Sequence, residues 1–141
     1  MKGMRAARSN PAMQLGGPFA FVAALAFAGV ACPQEISRGE VAFRAHCIGC
    51  HSIACNRGGP KLQDILGRRA GSVADFKRYT RALQESGIVW SEDSLDAFLR
   101  DPGKLVPGTA MAYVVRVQDS DDRSEIIKYL RRQDRTIDLC G

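Results

Sequence analysis

The stretch Cys47-Ile48-Gly49-Cys50-His51 constrains this chain more than any other feature of its sequence. Two cysteines separated by two residues, with a histidine directly after the second, suit three kinds of site. They can clamp a zinc ion, form a redox-active dithiol or attach a haem covalently. Each kind of site needs different companions elsewhere in the chain, so the rest of the sequence has to decide among them.

Zinc and thiol chemistry find little support outside this motif. A structural zinc site normally takes four ligands, often from two Cys-x-x-Cys pairs, but the other cysteines stand far apart, at Cys32, Cys55 and Cys140. The only other histidine, His46, adjoins Cys47 itself. A thioredoxin-type dithiol begins a helix that follows a strand, and neither flank of the motif shows a strand pattern. Both alternatives are disfavoured, although the sequence leaves them open.

Haem attachment uses every chemical group of the motif. The thiols of Cys47 and Cys50 add to the vinyl groups of the porphyrin, and His51 becomes the fifth iron ligand. A methionine or a second histidine usually fills the sixth position. His46 is held on the side of His51 by its neighbour, and only Met111 lies outside the segment that holds Met1, Met4 and Met13. Met111 is therefore the candidate by elimination, the alternative being a methionine that fills a gap in the core.

The N-terminal segment has the pattern of an export signal. Three basic residues precede an uncharged apolar run at residues 19–31. Thirteen residues are too few to cross a bilayer core, which takes about 20. The pattern therefore predicts a secretory signal peptide over residues 1–31, followed by one domain over residues 32–141. The basic residues are Lys2, Arg5 and Arg8.

The fate of this segment stays open. Cleavage could follow Ala28 or Ala31, because small residues end the apolar run. An uncleaved membrane anchor is one alternative, and a lipid on Cys32 is another. In each case we expect the domain in the periplasm, where an oxidising environment lets spare cysteines pair.

The net charge argues against nucleic-acid binding. The chain has 20 Lys plus Arg and 15 Asp plus Glu, and residues 1–31 hold three of the basic residues and none of the acidic ones. The remainder therefore carries 17 against 15, a net charge of +2. It has no dense basic stripe with interleaved aromatic residues, so nucleic acid is not an expected partner.

Three segments of the chain carry sequence signals that are typical of helices. Ser91 is positioned to cap a helix that ends at residues 101–103. Residues 119–125 are acidic and residues 131–132 are basic, which suits the dipole of a last helix. A first helix is indicated by the apolar stripe of Ile36, Gly39, Phe43 and Cys47. These patterns predict an all-α domain.

With these residues in place, the chain resembles the class I c-type cytochromes from about residue 36 to residue 132. The resemblance rests on the order of the motifs as well as on CIGCH itself. They are Gly59-Pro60 with Leu62, Gly67-Arg68-Arg69-Ala70-Gly71, Gly87-Ile88-Val89-Trp90 and Pro107-Gly108-Thr109-Ala110-Met111. The resemblance implies three main helices plus loops wrapped around one covalently bound haem c, with the last helix packed on the first.

The resemblance also implies roles for several single residues. The Pro60 carbonyl would accept a hydrogen bond from His51. Arg68, Tyr79 and Trp90 would lie near the haem propionates, and Phe98 would line the pocket. Since the last helix would end near the loop after His51, we expect a disulfide between Cys55 and Cys140. Two free thiols, or a bond from Cys140 to Cys32, are the alternatives.

The function that the resemblance implies is one-electron transfer without catalysis. A monomeric carrier of this kind would shuttle electrons in a respiratory chain, from a membrane quinol-oxidising complex to an oxidase, reaction centre or dehydrogenase. The alternative is a haem-based ligand sensor or a peroxidase-like protein with a labile Met111 ligand. Relatives commonly carry a lysine ring around the haem edge, but here Gly103 and Ala110 stand at such positions. Because fewer cations remain around the haem edge, we expect docking to depend weakly on salt concentration. The cations that remain are Lys104, Arg57, Arg78, Arg81 and Arg116.

Overall fold

The computed structural model describes residues 36–114, 116–132 and 140. The predicted signal peptide therefore lies outside the described residues. In the described part, helices account for the regular structure, and one isolated antiparallel bridge joins Arg69 to Val89. The elements are α1 (Arg38–His46), α2 (Arg81–Glu85), α3 (Glu92–Arg100), α4 (Pro102–Leu105), a 3-10 helix (Ala110–Tyr113) and α5 (Ser120–Arg132). The predicted all-α fold is confirmed.

Helices α1 and α5 pack together closely because a glycine faces the contact. A Cβ atom added to Gly39 would lie 2.3 Å from the Glu125 carbonyl oxygen, so no larger residue fits there without a shift of backbone. Further along the same contact, the rings of Phe43 and Tyr129 lie 5.3 Å apart between centroids. The expected packing of the last helix on the first is confirmed, and it fixes the helix that leads into Cys47.

Helix α3 begins and ends at sequence signals. The Ser91 hydroxyl accepts a hydrogen bond from the Ser94 N–H, and the Ser94 side chain accepts one from the Ser91 N–H. This capping box confirms the predicted start. The helix ends at Arg100. The side chain of Asp101 then accepts the Lys104 N–H and caps the short helix α4. Pro102 is tolerated there because it is the first residue of that helix. The sequence predicted only the end of α3 there, not the second helix.

A buried arginine joins α5 to α3. Arg123 is only 6% exposed, and its Nε donates to Asp96 on α3 at 2.6 Å. Its Nη1 donates to the carbonyls of Val117 and Gln118. All of its acceptors are protein groups at fixed positions, so the arginine holds the segment before α5 against α3.

The packed helices leave one side of the core facing a cleft. Ile126 on α5 is fully buried, and Leu95 on α3 is nearly so, yet both line the cleft. The apolar core is therefore formed by the helices together with the group that binds in the cleft. Within the described residues, no helix has the length and apolar character needed to traverse a bilayer.

Candidate functional site

The cleft brings together the residues that the sequence analysis selected as haem ligands. Cys47, Cys50 and His51 follow directly after α1, and Met111 lies on the 3-10 helix, 60 positions after His51. All of them line the same cleft. The cleft leaves about 1160 Å³ free of protein atoms, solvent at its open mouth included.

The imidazole of His51 is prepared to bind a metal through Nε2. Its Nδ1 lies 2.7 Å from the Pro60 carbonyl oxygen, the contact that the family resemblance implies. Since a carbonyl only accepts, this bond puts the proton on Nδ1 and leaves Nε2 with a free lone pair. Burial lowers the pKa of His51, while the bond to Pro60 acts in the opposite direction. The ring is therefore neutral at neutral pH, which is the form that coordinates metals.

Gly59 fixes the position of this ring, a role that the sequence analysis did not assign. A Cβ atom on Gly59 would lie 2.2 Å from Cε1 of His51 and 2.6 Å from its Nδ1. The backbone of residue 59 thus packs directly against the imidazole, and any side chain there would displace it. A Gly-Pro pair after a candidate ligand was visible in the sequence, but the contact of its glycine could be recognised only in the fold.

The two motif cysteines do not have the properties of a redox dithiol. They are free of disulfide bonding, and hydrogen bonds from the Cys50 and His51 N–H groups to the Cys47 carbonyl form a tight turn. Burial, with a smaller contribution from Cys50, raises the pKa of Cys47 to about 12. Redox dithiols work through a lowered pKa, so this environment disfavours that alternative.

The structure also disfavours a zinc site at the motif. Across residues 36–114, 116–132 and 140, the structure contains no cluster of three or more His, Cys, Asp and Glu side chains that could hold a metal ion. His46 points away from the cleft, with its Nε2 3.1 Å from a carboxylate oxygen of Asp122 on α5. It therefore supplies no second ligand near the motif.

A tight turn carries Met111 to the cleft. Gly108 has a φ of +89°, a left-handed conformation that glycine adopts without strain. The next residue, Thr109, is fully buried, and its carbonyl accepts the Ala112 N–H at 3.2 Å. The buried threonine anchors the start of the 3-10 helix, and Met111 follows at a fixed position on the cleft wall.

Aromatic and cationic side chains line the rest of the cleft. The rings of Trp90 and Phe98 lie 5.0 Å apart between centroids, and both are buried. Arg68 is held by the Gln63 and Lys61 carbonyls, at 2.6 and 3.0 Å. Together with nearby Leu95 and Leu99, the two rings give one wall an apolar surface, while Arg68 stands on a polar rim.

This polar rim suits an anionic group. Arg68, Arg69 and Arg78 line the cleft, and no described lining residue is a carboxylate. Burial raises the pKa of Tyr79, also in the lining, so its hydroxyl keeps its proton at neutral pH. Arginine guanidinium groups and a protonated hydroxyl donate hydrogen bonds to carboxylates. The haem propionates are such carboxylates, so the donor set fits the group that the cysteines and His51 indicate.

The structure also brings Cys55 and Cys140 together. Their sulfurs are bonded, and their Cα atoms lie 5.8 Å apart, a separation that disulfides ordinarily span. Cys55 belongs to the loop between His51 and Pro60. The bridge therefore ends beside the segment that holds the imidazole.

Comparisons with known proteins show one consistent likeness. No protein-family model matches the chain. It is 33% identical to a cytochrome c of Arabidopsis thaliana over 109 residues, which span 75% of this chain and 96% of that protein. It is 36% identical to cytochrome c2 of Blastochloris viridis over 105 residues, 72% of this chain and 80% of that protein. The solved structure of cytochrome cH from Methylobacterium extorquens matches with a TM-score of 0.64 and 38% identity, over 68% of this chain and 96% of that one.

Proposed function

This chain belongs to the class I c-type cytochromes, electron carriers with one covalently attached haem c, and we propose that it is an exported carrier whose iron is held by His51 and Met111. The observation that carries the proposal is the meeting of Cys47, Cys50, His51 and Met111 on one cleft. Haem c, when bound, supplies a one-electron couple at its iron. Every other part of the activity depends on how the chain holds that group.

The described residues have three tasks in this proposal. Cys47 and Cys50 form the thioether bonds, and the Gly59–Pro60 pair orients His51 so that Nε2 faces the cleft. Met111 supplies a soft thioether ligand, which favours the ferrous state and a higher potential than a second histidine would. If His51 and Met111 both bind the iron, the protein would leave no ligand position for oxygen or peroxide.

The apolar wall and the arginine rim tune the same couple. Trp90, Phe98 and the leucines around them form an apolar part of the cleft lining that would exclude water, which would limit solvent reorganisation during electron transfer. Arg68 and Tyr79 would donate to the haem propionates and offset their negative charge. A lower negative charge near the iron favours the reduced state.

The sensor or peroxidase alternative needs a labile Met111 and a group that handles protons beside the vacated position. Among the described residues that line the cleft, His51 is the only histidine, and none is a carboxylate or a lysine. Apart from His51 itself, no described histidine, carboxylate or lysine of the lining is therefore available there as a general acid or base. This supports the carrier over the alternative.

Visible spectra of the holoprotein test the axial ligands. The protein would be made in cells with haem-attachment machinery and measured in ferric and ferrous form, with and without carbon monoxide. We expect a c-type ferrous spectrum, a weak far-red ferric band from sulfur ligation, and no response to carbon monoxide. The band should disappear in Met111→His and persist in His46→Gln, whose histidine faces Asp122 instead of the cleft. A prompt shift with carbon monoxide in the wild type would refute closed ligation by His51 and Met111.

Export is the second part of the proposal. Residues 1–31 act as a secretory signal peptide, which places residues 32–141 in the periplasm. Intact mass and N-terminal sequencing of the periplasmic protein test this. A start at residue 29 or 32 supports cleavage, whereas an intact N-terminus in the membrane fraction indicates an anchor, and a lipid mass on Cys32 indicates lipidation.

We propose that the Cys55–Cys140 disulfide forms in the exported protein. An oxidising compartment permits the bond, and Cys47 and Cys50 are unavailable as competitors once they hold haem. Mass spectrometry after alkylation without reduction should find neither Cys55 nor Cys140 labelled. Labelling of both would remove this part of the proposal.

The partners in this proposal are redox proteins that dock at the mouth of the cleft. A membrane quinol-oxidising complex would donate the electron, and an oxidase, reaction centre or dehydrogenase would accept it. The carrier works as a monomer, so that the same surface can reach donor and acceptor in turn. Sedimentation of the holoprotein at micromolar concentration should give the mass of a single chain.

A further inference from the structure

The proximal loop, defined here as residues 52–60, is the segment that orients His51. The backbone of Gly59 packs against the face of the imidazole, and the Pro60 carbonyl accepts the hydrogen bond from Nδ1 at 2.7 Å. Both contacts come from the last two residues of the loop. A movement of the loop therefore moves the two groups that set the orientation of the ring.

The loop contains no helix or strand, so separate contacts hold it. At its base, the Gly59 N–H donates to the Cys50 carbonyl at 2.6 Å, and the Leu62 N–H donates to the Ser52 carbonyl at 3.0 Å. In its outer part, the Asn56 side chain accepts the Lys61 N–H at 2.9 Å, and the Arg57 carbonyl accepts a hydrogen bond from the Arg78 side chain. The side chain of Arg57 donates to the Ile48 carbonyl at 3.1 Å, an exposed contact.

The disulfide supplies a covalent attachment for this outer part. It joins Cys55 to Cys140, 85 positions later and beyond the end of α5 at Arg132. An exposed hydrogen bond opens readily because water competes for it, whereas a disulfide opens only by chemical reduction. The bridge thus ties the outer part of the loop covalently to the chain that follows α5.

We infer that the Cys55–Cys140 disulfide is a positioning element for His51, because it fixes the loop that holds the Pro60 carbonyl against the imidazole. This inference rests on the proposed function, since the orientation of His51 matters to a potential only when haem is bound. The hydrogen bond from Nδ1 increases the basicity of the ring and strengthens donation from Nε2. Stronger donation favours ferric iron, so opening the disulfide should favour ferrous iron.

The double variant Cys55→Ser with Cys140→Ser tests this in the holoprotein. We expect the equilibrium constant for reduction of the iron to rise two- to threefold, which is about 18–28 mV in potential at 59 mV per decade for one electron. Hydrogen exchange of the Gly59 N–H, measured by NMR on the ferrous protein, should become faster. Spectroelectrochemical titration gives the potential.

A matched control separates this effect from a general loss of stability. Val117→Ala removes volume from a buried side chain that does not line the cleft, and it changes no charge. It should lower stability while leaving the potential and the Gly59 exchange rate unchanged. If Val117→Ala shifts the potential as much as the double variant does, the positioning role is refuted.

A second route opens the bridge without changing the sequence, in case the double variant does not assemble. A dithiol reductant supplies two electrons and two protons to the cystine of the purified ferrous holoprotein and becomes a disulfide itself. Iodoacetamide then caps the two new thiols with loss of iodide. Cys47 and Cys50 do not react when they are thioethers, and the capped protein should show the same rise in potential.

The inference is overturned if protein whose mass shows an open bridge keeps both the wild-type potential and the wild-type exchange rate of the Gly59 N–H. That outcome leaves the proposed function intact, because it is obtained on a red protein with covalent haem. A wild-type protein that binds no haem would refute the proposed function and this inference together.

Discussion

Arg123 on α5 donates to Asp96 on α3 at 2.6 Å, and the arginine side chain is only 8% exposed. The bond to Arg123, with a smaller contribution from Arg100, holds the pKa of Asp96 below its ordinary value. A carboxyl whose pKa is lower in the folded state stabilises that state above its unfolded pKa. This stabilisation is lost as the pH falls through the folded pKa.

Asp96→Asn should therefore lower the free energy of unfolding by about 1–3 kcal/mol at neutral pH, the range for a hydrogen-bonded charge pair that loses one partner. The difference from wild type should begin to shrink below about pH 4, the ordinary pKa of an aspartate. It should vanish only below the lowered pKa of the folded state, where the wild-type carboxylate takes up its proton. Guanidinium titrations of the ferric protein at several pH values measure this. A difference that stays constant down to pH 2 would contradict the assignment.

Gly39→Ala should destabilise the contact between α1 and α5. The new methyl group would lie 2.3 Å from the Glu125 carbonyl oxygen and 2.8 Å from the Cβ of Tyr129, so the helices must separate. Overpacking of this kind costs about 1–3 kcal/mol, or roughly 5–20 °C in Tm for a domain of this size. The control is Gly49→Ala, where an added Cβ has no neighbour within 4 Å. Equal Tm values for the two variants would be evidence against this packing.

Gly59→Ala should disturb the iron ligation more than the fold. A methyl group 2.2 Å from Cε1 of His51 must push the ring, which misaligns Nε2. We expect the far-red ferric band to weaken or vanish, together with a large change in potential. Gly58→Ala is the matched control, because its nearest contact would be an ordinary 3.5 Å to Cys50. If both variants keep the wild-type ferric spectrum, Gly59 does not position the ring.

Arg68→Gln should lower the reduction potential. The variant removes a cation from the rim of the cleft while keeping two side-chain N–H groups for hydrogen bonding. Loss of positive charge favours the ferric form, and a three- to tenfold fall in the reduction equilibrium constant equals about 28–59 mV. Arg44→Gln serves as control, because Arg44 pairs with Glu40 on α1 and does not line the cleft. A potential that rises or stays constant in Arg68→Gln would remove Arg68 as a propionate partner.

Electron transfer to the acceptor should depend weakly on ionic strength. Of the cations expected near the haem edge, Arg116 lies 3.6 Å from Asp101 and Arg81 lies 3.9 Å from Glu85, so part of their charge is already offset. We expect the second-order rate to fall less than about threefold between 0.05 and 0.3 M salt. Asp101→Asn removes the carboxylate beside Arg116, keeps a side chain that can cap α4, and should steepen the dependence. A steep wild-type dependence would show that the paired cations still steer docking.

The sequence predicted the elements whose signals are local. The cap at Ser91, the acidic start and basic end of α5 and the spacing of CIGCH are each contained within a few residues. Helix α2 was missed, because five residues carry too little apolar periodicity to be recognised. The bridge between Arg69 and Val89 was also missed, since it joins two segments without strand character.

Contacts made across the fold explain the rest of what the sequence left undetermined. Arginine is normally solvated, so nothing in the sequence of α5 marks Arg123 as buried. Its acceptors lie on α3 and on the segment before α5, and only the packed helices bring them together. The same holds for Gly59, because a glycine in a loop predicts flexibility as readily as a close approach to a ring.

The direction of α1 has a consequence for anything attached ahead of the domain. The helix starts where Gly39 touches Tyr129 and ends at the cysteines of the cleft, and its nine residues span about 13 Å at 1.5 Å each. A retained anchor, a lipid tether or a fusion partner would thus leave the domain at the opposite end of α1 from the attachment site.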